Sequence, residues 1–222
     1  PMVAVPEMTA PEEYIKTVDR SHFFEITSFS GDDLKRNEMY KKNAERAALQ
    51  SQFADYGEYL TSLDMVGVID DFLPIYLPRI TQLTNKSNQF NLTTRRFTTS
   101  EMEEVFADES YIRLYGKLTD KFGDNGIVSV VIGKINGDTL DVILWLMSCR
   151  VLKRDMEYAM LDNLVERAAQ KGIREIKGYY YPTAKNKMVK ELYADFGFDK
   201  ISEDEEGNTV WSLKTEGYNN KN

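Results

Sequence analysis

Three cations crowd into five residues of this chain. Arg150, Lys153 and Arg154 stand in the run Cys149-Arg150-Val151-Leu152-Lys153-Arg154-Asp155-Met156, between a long apolar segment and an amphipathic one. Residues 149–190 hold ten Lys/Arg against five Asp/Glu, in a chain whose formal net charge is -8. Positive charge where a strand hands over to a helix amino terminus is a landing place for a phosphate, because the free N–H groups there already favour anions. Asp155 opposes this: a carboxylate at the helix start caps the helix but repels phosphate. Cys149, the one cysteine, ends the apolar segment beside Arg150. Held as a thiolate by that charge it would carry an acyl group as a thioester; the alternative is a small hydrophobe filling the core. Glu157, on the first helical turn, is a base only if burial raises its pKa, and otherwise simply answers the helix dipole. The single histidine, His22, is far in sequence from all of these and is expected to have no role.

These residues need a frame. Tyr111 to Thr119 alternates as a half-buried strand does, and Ile127 to Ile135 is β-branched and nearly all apolar. Asn136-Gly137 signals a hairpin, and Thr139 to Ser148 is the return strand, apolar enough to be central. A helix is expected from about Asp155 to Lys171, with Met156, Ala159, Met160, Leu164 and Ala168 at spacings of three and four and Gly172 as its cap. A strand over Ile173 to Tyr181, a helix over Ala184 to Phe196 and a hairpin of Phe198 to Ile201 with Thr209 to Leu213 complete the reading. The order predicts a mixed sheet with one right-handed parallel crossover, in an α/β fold. Upstream, Tyr76 to Asn88 reads as a short helix running into a strand at Phe90 to Phe97.

Residues 1–65 look different, helical and acidic, with seven Lys/Arg and twelve Asp/Glu. Ser30-Gly31-Asp32-Asp33 is a plausible helix start. From Leu34 to Phe53 the apolar stripe of Tyr40, Ala44, Ala47 and Ala48 is thin, and suits a helix lying on a neighbour. Phe23, Phe24 and Phe29 need burial that this stretch alone does not offer. The expected organisation is a helical connector at 1–75, a domain at 76–216 and a disordered tail at 217–222.

Several classes are excluded. At 222 residues and 42% hydrophobic content the chain can bury a core, and no apolar run reaches membrane-spanning length. One cysteine forbids an intrachain disulfide, and one histidine excludes His-rich metal sites, so no metal is expected. The acidic balance argues against nucleic acid, and no secretory pattern is present, so the cytoplasm is the expected compartment. The chain opens on PMVAVPEM without an initiator methionine, as a processed protein or a piece of a longer one would.

Four runs now carry a resemblance: QLTNKSNQFNLTTRRF (Gln82 to Phe97), FGDNGIVSVVI (Phe122 to Ile132), MSCRVLKRDMEYAML (Met147 to Leu161) and GYYYPTAKNKMV (Gly178 to Val189). In this order they resemble the carboxy-terminal half of FkbH-like proteins. Those proteins join a haloacid-dehalogenase-like (HAD-superfamily) phosphatase-like domain to a region similar to GCN5-related N-acetyltransferases (GNAT). The earlier segments look like the connector after that family's phosphatase-like core. No Asp-x-Asp-x-Thr nucleophile motif occurs, so no phosphatase activity is expected of this chain.

The resemblance implies a GNAT-like mixed sheet with flanking helices, acting as an acyltransferase. It implies a glyceryl or related acyl thioester on an acyl carrier protein, in the making of methoxymalonyl-type extender units for polyketides. A GNAT domain binds the coenzyme A pyrophosphate at the loop that is Arg150 to Met156 here, where Lys153 and Asp155 replace expected glycines. The single phosphate of a phosphopantetheine arm asks less of such a loop. By position Tyr193 is the acid that protonates a leaving thiolate, or packs with Leu192 and Phe196. Asn186 bonds a pantetheine amide or caps the following helix. The implied partners are the carrier protein and the family's HAD-like domain. The rival function is a non-catalytic platform that docks the carrier protein.

Two clusters complete the candidates. Asn85, Lys86, Asn88, Gln89 and Asn91 form an amide-rich hydrogen-bonding surface, and of Arg95 and Arg96 only one can face a cleft. Tyr179 and Tyr181 should share one face of their strand, with Tyr180 on the other.

Overall fold

The computed structural model describes residues 10–11, 14–20 and 36–222. The chain divides into two compact units, Pro1–Gln52 and Phe53–Asn222. The first contains helices α1 (Tyr14–Arg20) and α2 (Arg36–Gln50). In α2 the stripe expected to be covered is exposed at Tyr40, Ala44, Ala47 and Ala48. Among its described side chains the buried one is Arg46, whose Nη1 donates to Asn43 Oδ1 at 2.9 Å. His22, Phe23, Phe24, Phe29 and the helix start at Ser30 to Asp33 lie outside the described residues.

The second unit begins with α3 (Tyr56–Ser62), capped by Asp55 accepting from the Glu58 N–H at 2.9 Å. Then come β1 (Val66–Asp71), α4 (Leu77–Lys86), a two-residue β2 (Phe90–Asn91) and α5 (Thr99–Ala107). Strands β3 (Tyr111–Asp120), β4 (Gly123–Asn136) and β5 (Thr139–Met147) form the meander. They lead to α6 (Met156–Gln170), β6 (Glu175–Tyr180), a short α7 (Leu192–Asp195), β7 (Asp199–Glu203) and β8 (Thr209–Lys214). The sheet runs β1-β3-β4-β5-β6-β8-β7, with β2 also on β5. The β5–β6 pair is parallel and the other pairs antiparallel, so the expected crossover through α6 is present.

Alternation sorts the sheet's side chains into two cores. Val131 and Trp145 face α6, with Met156, Met160, Leu161 and Leu164. Val130, Ile132, Leu144 and Leu146 face α4 and α5, with Ile80, Leu83 and Met102. Burial on both faces is why β4 and β5 read as unbroken apolar runs.

Five expectations change. Residues 66–71, read as part of a helical connector, pair with β3 as the sheet's first strand. The strand expected over Phe90 to Phe97 stops after two residues, and Thr94 takes a left-handed φ of 53°. The hairpin turns on Gly137-Asp138, since Asn136 still pairs with Thr139; Gly137, at φ 63°, supplies the conformation that a side chain resists. The helix expected over Ala184 to Phe196 is broken into a 3₁₀ turn, Lys187–Val189, and α7. The tail expected to be disordered is docked: Asp162 of α6 accepts from the Tyr218 hydroxyl at 2.6 Å and from the Lys221 and Asn222 N–H groups at 2.9 Å each.

Candidate functional site

Beyond β5 the chain makes a 3₁₀ turn, Cys149–Val151, and enters α6 through Lys153 and Asp155. These two residues, standing where glycines were expected, have φ of 61° and 60°. The loop therefore keeps a glycine-like path at a cost of ~1–2 kcal/mol per residue. Two contacts hold it there. Arg154 Nη1 meets Asp120 Oδ2 at 2.9 Å, with side chains 9% and 0% exposed. The Tyr56 hydroxyl donates to the Lys153 carbonyl at 2.7 Å. Arg154 is thus a buried partner of Asp120 rather than a phosphate contact, which removes one of the three expected cations. Val151 and Met156 are also core residues, 0% and 2% exposed. Met156 packs where a Cβ on Gly116 would fall. Asp155, left-handed at φ 60°, makes no side-chain cap bond. Lys153 and Asp155 are exposed, and Arg150 donates to Ser148 Oγ at 3.1 Å.

Glu157 meets the condition set for a base. Burial, and then the Asp155 charge, push its carboxyl above the usual range, against its own backbone N–H; Oε2 has no partner. A raised folded-state pKa means the group stabilises the fold while protonated and ceases to do so as pH rises. Glu157→Gln should raise Tm by about 2–4 °C at pH 8 and by almost nothing below pH ~4. Thermal scans across pH check this; an equal gain at both ends would assign the effect to shape.

Neither Tyr193 nor Asn186 reaches a ligand. Tyr193 is fully buried against Trp145, Phe198 and Trp211, and its ring fills the space a Cβ on Gly178 would need. Its hydroxyl makes no regular hydrogen bond, and burial pushes its pKa far up against a nearby Tyr179 backbone group. Placed so, it cannot protonate a solvent-borne thiolate. Asn186, also fully buried, neither caps a helix nor faces an opening. Its Nδ2 donates to the Asn91 and Tyr181 carbonyls, both at 2.9 Å, and its Oδ1 accepts from the Thr183 N–H at 2.7 Å.

That latch explains the broken helix and a second feature. Strands β5 and β6 pair only as far as Val142 with Gly178. Residues 90–93 fill the opening beyond. Phe90 and Asn91 pair with Met147 and Leu146, the Leu92 N–H donates to the Trp145 carbonyl at 3.0 Å, and the Tyr181 N–H donates to the Leu92 carbonyl at 2.9 Å.

A cavity of about 740 Å³ lies at the end of β5. Arg79 and Lys86 of α4, Arg150 of the junction and Lys185 beyond β6 bring four cations to its wall, and none of the described residues that line it is acidic. Cys149 is exposed and lines it, which removes the core-filler reading. The amide-rich cluster divides: Lys86, Asn88 and Gln89 line the cavity, while Asn85 and Asn91 bond backbone. Arg96 holds the 84–88 segment, donating to Thr84, Ser87 and Asn88. Arg95 lines a smaller cavity of about 430 Å³ with Asp141, Tyr179 and Tyr181. Tyr179 and Tyr181 do share a face, and Tyr180 is buried on the other.

Sequence reasoning missed Asp120, Arg79 and Lys185, which lie on other elements and carry no local pattern. It also missed α5, although Thr98 and Glu101 form a capping box whose spacing is readable.

The second unit has the fold of the GNAT acetyltransferases. The ribosomal-protein-S18-alanine N-acetyltransferase from Escherichia coli is similar over 69% of this chain and 97% of its own, at TM-score 0.52 and 13% identity. A domain from Methanocaldococcus jannaschii matches over 68% and 99%, at 0.53 and 13%. The Vibrio cholerae spermidine N-acetyltransferase, solved with CoA and spermine, matches over 67% and 95%, at 0.51 and 11%. No family model matches the sequence, and no curated protein matches it. No described helix is long and apolar enough to cross a membrane.

Proposed function

We propose that this chain is the acyltransferase-like half of an FkbH-like protein. It handles a glyceryl or related acyl thioester on the phosphopantetheine arm of an acyl carrier protein, in polyketide extender-unit synthesis, beside the HAD-like domain of the full-length protein. The observation that carries this reading is the open junction. A cationic cavity leads to an exposed thiol at the end of the central strand, in a GNAT fold. In this reading Cys149 accepts the acyl group and Arg150 attracts the arm's phosphate; Tyr193 and Asn186 hold the frame. Solved relatives of the fold bind CoA, so coenzyme A is the alternative carrier of the acyl group.

A second reading, a docking platform without chemistry, is favoured by residues 90–93. An extended thioester arm adding beside β5 would meet backbone already bonded there.

Thermal shift and acyl loading separate the two. A ligand at 100-fold its Kd adds ~2.7 kcal/mol of stability. The loaded carrier protein should stabilise the chain and transfer its acyl group to wild type but not to Cys149→Ser. Tyr193→Phe should load normally and gain about 1 kcal/mol, having lost an orphaned hydroxyl. Stabilisation with no covalent loading leaves the docking platform, and no stabilisation by carrier or CoA overturns both.

A further inference from the structure

The turn after β6 carries charge that the fold does not use. Residues 181–190 hold three lysines and no acidic residue, in a chain of net charge -8. Lys185, Lys187 and Lys190 are all exposed, and none has a carboxylate within 4 Å among the described residues. Glu203 feels the charge of Lys190 but pairs with Lys200. The acidic residues that follow, Glu191, Asp195 and Asp199, belong to α7 with its cap and to the start of β7. Among the lysines stands Met188, 54% exposed, with Tyr181, 43% exposed, at the start of the turn. A lone exposed apolar side chain means little. Set among three cations on one turn, it makes a contact surface with an apolar centre and a charged rim.

The turn is held from beneath. Asn186 and Val189, three residues apart, both point inward. Asn186 bonds the Asn91 and Tyr181 carbonyls, and Val189 is 1% exposed in the core on the α6 side. Residues three apart eclipse in a 3₁₀ turn, so Lys187 and Lys190 share its outer side. The Lys190 N–H closes the turn on the Lys187 carbonyl at 3.3 Å, and the Lys185 N–H donates to Thr183 Oγ1 at 3.3 Å. With the backbone fixed, binding has only side chains to order. The turn also borders the thiol, since Ala184 and Lys185 line the same cavity as Cys149.

We infer that the 181–190 turn docks an acidic partner protein, whose carboxylates meet Lys185, Lys187 and Lys190 while an apolar side chain meets Met188. Naming that partner as the carrier protein rests on the reading above. Three lysines fall short of the ~6–10 phosphate contacts of a nucleic-acid site. Ten residues also fall short of the ~800 Å² that each partner buries in a stable complex. The contact is therefore transient, and its charges act chiefly on the rate and selectivity of encounter.

The test is surface plasmon resonance on the whole chain, with an acyl carrier protein in its apo and phosphopantetheinylated forms. Both forms should bind at a Kd of ~10–100 μM in low salt, because the turn meets the protein and not the arm. Lys187→Glu and Lys190→Glu should each weaken apo binding about fivefold, mostly through the on-rate, and together about twentyfold. Met188→Asp should weaken it about tenfold. Lys171→Glu changes the net charge equally, just past the far end of α6, and should leave binding unchanged. All four positions are exposed, and an unchanged Tm checks the fold of each variant. Binding that ignores the reversals overturns the inference and leaves the carrier-protein reading standing, whereas no binding of either form overturns both. Binding of the phosphopantetheinylated form alone assigns recognition to the arm and also overturns the inference. So does self-association of the chain that the reversals abolish, which seats a second copy on the turn. Reversal-sensitive capture of phosphatidylglycerol vesicles or oligodeoxythymidine, without carrier binding, overturns it in favour of a membrane or a nucleic acid.

Discussion

Asp120→Ala should cost about 3–5 kcal/mol and lower Tm by about 10 °C or more, the largest loss from any single truncation outside the apolar core. The charge it leaves behind is the reason. Arg154, 9% exposed, would keep its guanidinium in a buried position with its carboxylate gone. Asp120 also accepts from the Phe122 N–H at 3.0 Å and from Asn125 at 3.3 Å, so the turn between β3 and β4 loosens at the same time. Arg154→Ala should also be damaging, because it takes the cation away from a fully buried carboxylate. The double variant Asp120→Leu/Arg154→Leu should recover much of the loss, since no charge is then stranded. A double-mutant cycle by denaturant unfolding measures the coupling. Single losses below 1 kcal/mol would mean that the pair does not hold the α6 entry in place. The strained backbone at Lys153 and Asp155 would then need another restraint.

Asn186→Ala should cost about 3 kcal/mol. The side chain is fully buried and satisfies the carbonyls of Asn91 and Tyr181 together with the N–H and hydroxyl of Thr183. Removing it takes this partner from both carbonyls and from the Thr183 N–H at once. Asn186→Asp preserves the shape but turns an acceptor toward two carbonyl oxygens, so it should fare no better. Because the latch joins the 90–93 segment to the β6 exit, hydrogen exchange should rise at Leu92 and Tyr181 before the rest of the sheet opens. A variant with wild-type stability and protection would show that residues 90–93 stay in the sheet without it.

The frame of the site was readable because its signals are local. Two-faced burial makes β4 and β5 apolar throughout, three-and-four spacing marks α6, and Gly172 closes it at φ 74°. From those patterns follow the parallel crossover and a junction carrying Arg150, Lys153 and Arg154. The same reasoning located Tyr179 and Tyr181 on one face, and found the polar cluster near Lys86. It failed where a residue's partner lies far along the chain. Nothing around Arg154 announces Asp120, 34 residues earlier, and nothing around Asn186 announces Asn91, 95 residues earlier. Likewise β1 looked like connector because as an edge strand it is largely exposed and lacks the apolar pattern.

The amino-acid order alone therefore determined the elements and the excess of positive charge near the junction, since period, capping and turn chemistry act within a few residues. Only the tertiary structure decided where the cations lie. Burial neutralised Arg154 against Asp120, sealed Tyr193 under β6, and gathered Arg79, Lys86, Arg150 and Lys185 around one space. Pairing and desolvation depend on distances across the fold, and no spacing along the chain encodes them.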